Sequence, residues 1–258
     1  MTFIHALILG LAQGLTEFLP ISSSGHLVIG QKLLGFSQPP VLFDILVHVG
    51  TLTAVFVFFR KIIWQLTKRT VETIKAKTIP KEATVIIVGT IPAVIIGFFL
   101  NPFLEVIFSS ITLVGIALVI TSILLFSTVL IKKSDKKINQ ITKFDALVIG
   151  ILQALAILPG ISRSGSTVVA GLWRNLKRET AFTFSFLLSI PAILGAVSLQ
   201  LTDLKIMDSQ QMLPNLVGFI SAALSGYLAL ILFKKAVVNK KLAYFGIYCL
   251  LVGVAIFF

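Results

Sequence analysis

Charge is what this sequence has least of. Only 12% of its 258 residues are Asp, Glu, Lys or Arg, and just 10 of them are acidic. Soluble domains carry about 25% charged residues, so the chain lacks the surface that water requires. Cysteine is nearly absent as well. The single Cys249 lies inside an apolar stretch, which excludes a disulfide framework or a thiolate metal site and reads as a small core residue. A secretory leader is missing from residues 1–20: no basic segment precedes the first apolar run, and Gln13 and Glu17 interrupt it.

What is abundant is hydrocarbon. Hydrophobic residues make up 57% of the chain and the mean hydropathy is +1.02. A membrane-crossing helix needs about 20 apolar residues, and six stretches supply them: 41–59, 83–100, 111–131, 181–199, 213–233 and 242–258. The net charge of +12 would suit nucleic acid, but its distribution argues against that partner. Lys and Arg cluster at 60–81, 132–143, 174–178 and 234–241, whereas 101–110 and 200–212 hold one basic residue, Lys205. That alternation is the positive-inside pattern of a membrane protein. With the basic loops in the cytoplasm, the six stretches become six spans.

Two segments are left over, 3–34 and 144–173, and they resemble each other. Laid ungapped on 145–170, residues 5–30 give 10 identities in 26 positions, among them Gly10/Gly150, Gln13/Gln153, Ser22/Ser162, Ser24/Ser164 and Gly25/Gly165. Shared apolar composition would give roughly two. A weaker echo pairs 88–100 with 217–229, glycine on glycine at both shared positions. The chain is thus one membrane domain, 1–258, made of two halves, 1–131 and 144–258. Three spans per half turn the second half upside down, an inverted-topology repeat.

Each leftover segment reads as apolar helix, Pro/Gly/Ser break, apolar helix. Proline breaks a helix by removing a donor and clashing with the preceding turn, and broken backbone at membrane depth survives only where it lines a cavity or is buried in protein. Both segments are therefore expected to be re-entrant helix–break–helix hairpins meeting near the midplane. The fold expected is all-α and integral to the membrane: two inverted repeats, each a re-entrant hairpin plus three spans, about ten helices in all.

The breaks carry the polar chemistry. Glu17 follows Gln13 by four residues, so the two side chains stack on one helix face. A carboxylate near the bilayer centre costs about 2.5–3.5 kcal/mol even on an insertion scale, which points to metal ligation or general-base duty, against a hydrogen-bonded structural carboxyl. Arg163 follows a Pro-Gly break among Ser162, Ser164, Ser166 and Thr167, where a new helix starts. Free backbone N–H groups there attract anions, and a guanidinium fork matches phosphate oxygens; a structural pair with Glu17 is the alternative. Ser22, Ser23, Ser24 and His26 occupy the matching break. Hydroxyls beside an imidazole suit phosphate cradling, nucleophilic attack or proton transfer, or else helix capping. Asp44 and His48 share a face of the first span and either line the cavity or pack. The stretch 60–81 is basic and partly amphipathic, expected on anionic headgroups.

QGLTEFLPISSSGH (13–26) and LPGISRSGSTV (158–168) resemble the two signature segments of the undecaprenyl-diphosphate phosphatase family of the bacitracin-resistance type, and the likeness runs the whole chain. The family's second pattern, Pro-Gly-x-Ser-Arg-Ser-x-x-Thr, stands unaltered as Pro159, Gly160, Ser162, Arg163, Ser164 and Thr167. What the resemblance implies is hydrolysis of a C55 polyprenyl diphosphate to its monophosphate, recycling the lipid carrier of cell-wall synthesis, at a site open to the extracytoplasmic face of the cell membrane. It implies a divalent cation, Mg2+ or Ca2+, with Glu17 and Gln13 as the metal-side residues. It also implies Glu17, His26, Ser22 and Ser23 as the catalytic set, and Arg163, Ser162, Ser164, Thr167 and Ser24 on the diphosphate. Residue 13 is Gln where the pattern admits Glu, so a scheme needing two carboxylates in this motif does not suit this chain. The expected partners are the lipid substrate and membrane lipids, with a homodimer compatible. A polyprenyl-phosphate flippase or transporter is the competing reading, since inverted repeats with broken helices are also a transporter design; the pairing of Glu17 with His26 favours hydrolysis.

Overall fold

The structure is a computed structural model that describes residues 1–27, 41–75, 79–200 and 212–258. Among these residues it is all helical, with eleven α-helices and no strand. They are α1 Phe3–Phe18, α2 Val41–Phe58, α3 Arg60–Lys75, α4 Lys81–Leu100, α5 Leu104–Ser109, α6 Ile111–Ser127, α7 Lys143–Leu155, α8 Arg163–Trp173, α9 Arg178–Gln200, α10 Met212–Val238 and α11 Leu242–Ala255. Five are long and apolar enough to cross a membrane: Val41–Phe58, Lys81–Leu100, Ile111–Leu130, Arg178–Ser198 and Met212–Val238. The sixth expected span, 242–258, forms a helix of 14 residues. At 1.5 Å per residue that is about 21 Å, short of a hydrocarbon core of about 30 Å.

The surface fits a lipid solvent. Phe98, Phe99, Val94, Leu224 and Leu251 stand exposed on these helices, a face that water would penalise and acyl chains do not. The basic stretch after α2 is the amphipathic helix α3, with Trp64 71% exposed beside exposed Lys61 and Lys68. The interior is built on phenylalanine: Phe18, Phe59, Phe182, Phe186 and Phe233 form a buried group whose ring centroids lie 4.7–6.0 Å apart along the chain of contacts.

Both expected breaks are present. α1 stops at Phe18 because Leu19, the residue before Pro20, is extended, the conformation that a following proline imposes. Residues 19–22 are non-helical, and helix resumes at 23–27. The expected second arm of this hairpin beyond residue 27, and the loop holding Lys205, lie outside the described residues. The second break is longer. α7 ends at Leu155, ahead of Pro159, and α8 starts at Arg163 with the Ser162 hydroxyl accepting from Gly165 N–H at 3.1 Å.

The ends of this second segment meet. Asp145, in the first turn of α7 and fully buried, accepts from Thr142 N–H at 3.0 Å, Arg174 Nε at 2.8 Å and Lys136 Nζ at 3.1 Å. Arg174 is the residue that ends α8, and its guanidinium also lies 4.9 Å from the Phe144 ring. Burial raises the Asp145 pKa, and the bonds from Thr142, Arg174 and Lys136 more than offset it, lowering it to about 2.

The hairpin helices pack crosswise. α1 lies on α10 and α7 lies on α4, each through small residues. A Cβ on Gly10 would come 2.6 Å from Gly218 O, and one on Gly150 would collide with Gly89 O. Such close helix approach is the usual means of association in lipid. The two contacts are counterparts: Gly10 aligns with Gly150, and Gly218 with Gly89. A further small-residue crossing, Gly115 on Gly253, joins α6 to α11.

Candidate active site

The two breaks are bonded to each other. Ser22 sits at φ +70°, a left-handed conformation that costs a non-glycine residue roughly 1–2 kcal/mol. There its hydroxyl accepts from Gly160 N–H at 3.0 Å and Gly25 N–H at 3.4 Å, and lies 3.3 Å from Ser24 Oγ. A hydroxyl accepts twice and donates once, so Ser22 is saturated, and it is buried. Gly160 has φ +97°, and a Cβ there would stand 2.5 Å from Val114 O; glycine is required by both conformation and space. Thr121 of α6 completes the joint, donating to Gly160 O at 2.9 Å and accepting from Ser162 N–H at 3.0 Å. Ser164 donates to Leu19 O at 3.3 Å, and Thr167 bonds Arg163 O at 2.8 Å and Ser185 of α9 at 2.6 Å.

On this scaffold Glu17 is the point of convergence. The Phe18 ring, edge-on to Phe186 at 5.4 Å, fixes the end of α1, and Glu17 projects from the preceding position. Its Oε1 takes Arg163 Nη2 at 2.5 Å, and its Oε2 takes Ser23 Oγ at 2.6 Å and Gln13 Nε2 at 3.1 Å. Ser23 and Arg163 are equivalent positions in the internal alignment, each the residue after the helix-starting serine. One carboxylate thus receives the matching position of both segments. The Glu17 and Arg163 side chains are only 9% and 14% exposed, so their attraction acts in a low-dielectric setting.

Two polar atoms here remain unused. Arg163 Nη1 and Gln13 Oε1 are buried without a hydrogen-bond partner among the described residues, and a buried unpaired donor or acceptor costs roughly 1–3 kcal/mol. A donor on one side of Glu17 and an acceptor on the other would be matched by an anion and a cation together. For the divalent cation implied by resemblance, no group of three His, Cys, Asp or Glu converges among the described residues. The donor set is one carboxylate and one amide oxygen. It fits a hard ion that takes one or two protein oxygens and completes its shell with water and substrate phosphate, as Mg2+ does.

His26 lies at the rim. Its Nδ1 is 2.8 Å from Ser22 O, and its Nε2 is 2.7 Å from Tyr248 Oη. His48 of α2 bonds Asp44 O through Nδ1 at 2.7 Å and comes within electrostatic reach of Glu17. The sequence-predicted residues therefore divide in two. Glu17, Gln13, Ser23 and Arg163 present polar atoms around one spot, with His48 in electrostatic reach of it, whereas both ring nitrogens of His26 are engaged, by Ser22 O and Tyr248 Oη. The hydroxyls of Ser22, Ser24, Ser162, Ser164 and Thr167 are engaged in caps and cross-links that hold it. Sequence reasoning missed Tyr248, Thr121 and Ser185, polar residues scattered through apolar helices with no motif around them.

Comparison with known proteins agrees in extent. Residues 6–255 match the family model described as bacitracin resistance protein BacA. The undecaprenyl-diphosphatase of Carboxydothermus hydrogenoformans is 43% identical over 99% of this chain and 97% of its own length. That of Syntrophotalea carbinolica is 41% identical over 98% and 97%. Undecaprenyl-diphosphatase 4 of Bacillus thuringiensis is 44% identical over 89% and 86%.

Proposed function

The chain belongs to the bacitracin resistance protein BacA family, and from that premise we propose how its geometry works as an undecaprenyl-diphosphate phosphatase. The reaction releases undecaprenyl monophosphate and inorganic phosphate, returning a lipid carrier to cell-wall synthesis and conferring resistance to bacitracin. The observation that carries the mechanism is the Glu17–Arg163 pair across the two breaks, with Arg163 Nη1 unpartnered. Arg163 meets the diphosphate with its unpartnered Nη1 and stabilises the charge that builds on the transferring phosphoryl oxygens. Diphosphate entering the site draws the guanidinium from Glu17, and the released carboxylate becomes the base.

Ser23 is the hydroxyl placed for attack, bonded to Glu17 at 2.6 Å, a nucleophile beside its base. Its Oγ bonds to the terminal phosphorus as the bridging P–O bond breaks. The lipid monophosphate leaves with the electron pair, and the Ser23 proton passes to Glu17. Water then attacks the phosphoserine phosphorus and gives a proton to His26 Nε2 while the P–Oγ bond breaks; Glu17 returns its proton to Ser23 Oγ, and phosphate is released. His26 passes the proton that it takes from water on to solvent, which resets the site. Glu17 and Gln13 would hold Mg2+ or Ca2+, which when bound neutralises phosphate charge.

The finer architecture is part of the same proposal. The Asp145–Arg174 bond between the ends of 143–174 supports a re-entrant second hairpin, and the matched pairs Gly10·Gly218 and Gly150·Gly89 support an inverted repeat. The 14-residue α11 is taken as a sixth, thinner crossing, assisted by flanking Lys241 and Tyr244 at the interface. With the basic loops cytoplasmic the site opens to the extracytoplasmic face, α3 rests on lipid headgroups, and the prenyl tail stays among acyl chains.

Purified protein with undecaprenyl diphosphate in detergent provides the test. Phosphate release that requires Mg2+ or Ca2+, stops with EDTA and is lost in Ser23→Ala is the expected result. No release from folded wild type would shift the assignment to lipid-phosphate transport.

A further inference from the structure

The short helix α11 reaches the first break with two consecutive residues. Cys249 Sγ lies 3.5 Å from Pro20 O, and Tyr248 Oη lies 2.7 Å from His26 Nε2. The Tyr248 and His26 rings also stack, 5.6 Å between centroids and 14° between planes. The other imidazole nitrogen, Nδ1, is 2.8 Å from Ser22 O.

These contacts fix a tautomer. A backbone carbonyl only accepts, so Nδ1 carries the hydrogen. A neutral imidazole has one N–H, so Nε2 presents its lone pair, and the partner 2.7 Å away must donate. Tyr248 has the hydroxyl to do so. Without that donor, Nδ1–H would be held from one side only, by a carbonyl four residues back on the same chain segment. The stacked ring adds orientation, since it limits rotation of the imidazole about its own axis. The pairing also crosses the molecule: His26 belongs to the first half of the chain and Tyr248 to the second.

We infer that Tyr248 is a positioning residue for the hydrolysis, holding His26 as the Nδ1–H tautomer with Nε2 as the proton-accepting atom at the mouth of the site. The inference rests on the phosphatase mechanism above and adds a residue to it that neither signature segment contains. Tyr248 is 41% exposed, so its hydroxyl can yield Nε2 to an incoming group without unpacking the core. The short α11 thereby acquires a role beyond crossing the bilayer, clamping the first break at Pro20 and His26.

The test is 15N spectroscopy of histidine-labelled protein at neutral pH, with His26→Gln used to assign the signal among the three histidines, alongside kcat and KM. Wild type should show Nδ1 protonated and Nε2 unprotonated at His26. Tyr248→Phe keeps the ring and the stacking, so melting should stay near wild type. The Nε2 shift should move, and kcat should fall about tenfold, the worth of one hydrogen bond, with KM within about twofold. Tyr248→Leu, which loses ring and hydroxyl alike, should fall at least as far. An Nε2–H pattern in wild type, an Nε2 shift unmoved in Tyr248→Phe, or an unchanged kcat would overturn the inference. Absence of phosphate release from wild type would defeat the phosphatase mechanism instead, and the tautomer spectrum would still report whether Tyr248 sets the ring.

Discussion

At the scale of single residues, the site is a competition for one carboxylate. Glu17 receives Arg163, Ser23 and Gln13 within 3.1 Å, and its role as base depends on how substrate redistributes those bonds. Glu17→Gln keeps the size but loses both the charge and the base. Its kcat/KM should fall at least about a hundredfold, and melting should fall too because Arg163 loses its buried counter-charge; kinetics on the monodisperse fraction, beside melting curves, would check this. Ser22 and Ser23 should separate cleanly. Ser22→Ala removes the acceptor shared by Gly25 and Gly160 N–H and should lower the melting temperature as well as activity. Ser23→Ala should abolish turnover with little thermal cost. Gly160→Ala adds a Cβ 2.5 Å from Val114 O at a φ of +97°, and should destabilise by about 2 kcal/mol or more, seen as lost monodisperse protein.

At the scale of elements, the second segment is held at its ends by Asp145. The carboxylate ties Thr142, Lys136 and Arg174, so the two ends of 143–174 are joined to each other. Its pKa is held to about 2, burial being outweighed by those bonds. The folded value lies below the ordinary carboxylate value near 3.9, so the stabilisation is fully present above about pH 4 and disappears as pH falls through about 2. Asp145→Asn should therefore melt below wild type at pH 7, and the gap should close on acidification between those limits. The elements were also where the sequence was most readable. Apolar length marked the spans, and Pro20 and Pro159 marked the breaks, because helix formation and its interruption are local. Glu17 and Arg163 stood out because each is a charge in hydrocarbon. Hidden from the sequence were the partners: that Ser22 caps and joins while Ser23 faces Glu17, that α1 packs on α10, and that Tyr248 meets His26. Those facts depend on residues up to 222 positions apart, and no local pattern encodes them. At the C-terminal end apolar composition continues to Phe258 while helix ends at Ala255, because composition marks a lipid-compatible stretch and not the last hydrogen-bonded turn.

At the scale of the whole molecule, segments far apart in sequence meet at the site. α1 lies on α10 and α7 on α4, and the two breaks meet in a direct bond between Ser22 and Gly160. The topology proposed for this arrangement puts Ser109 and Lys133, both exposed, on opposite sides of the membrane. In intact cells a membrane-impermeant thiol reagent should label Ser109→Cys and not Lys133→Cys, the buried Cys249 giving no background; labelling of both would sink the six-span arrangement. The central claim is that phosphate is gripped by the Arg163 guanidinium, whose Nη1 is unpartnered, where the two breaks join, and the most direct measurement is kcat/KM of Arg163→Lys on undecaprenyl diphosphate. Lysine keeps the charge and can still reach Glu17 but cannot offer the planar second donor. A loss of at least about a hundredfold is expected, the size seen on removing a preorganised donor, with melting close to wild type. Turnover near wild type in the lysine variant would contradict it.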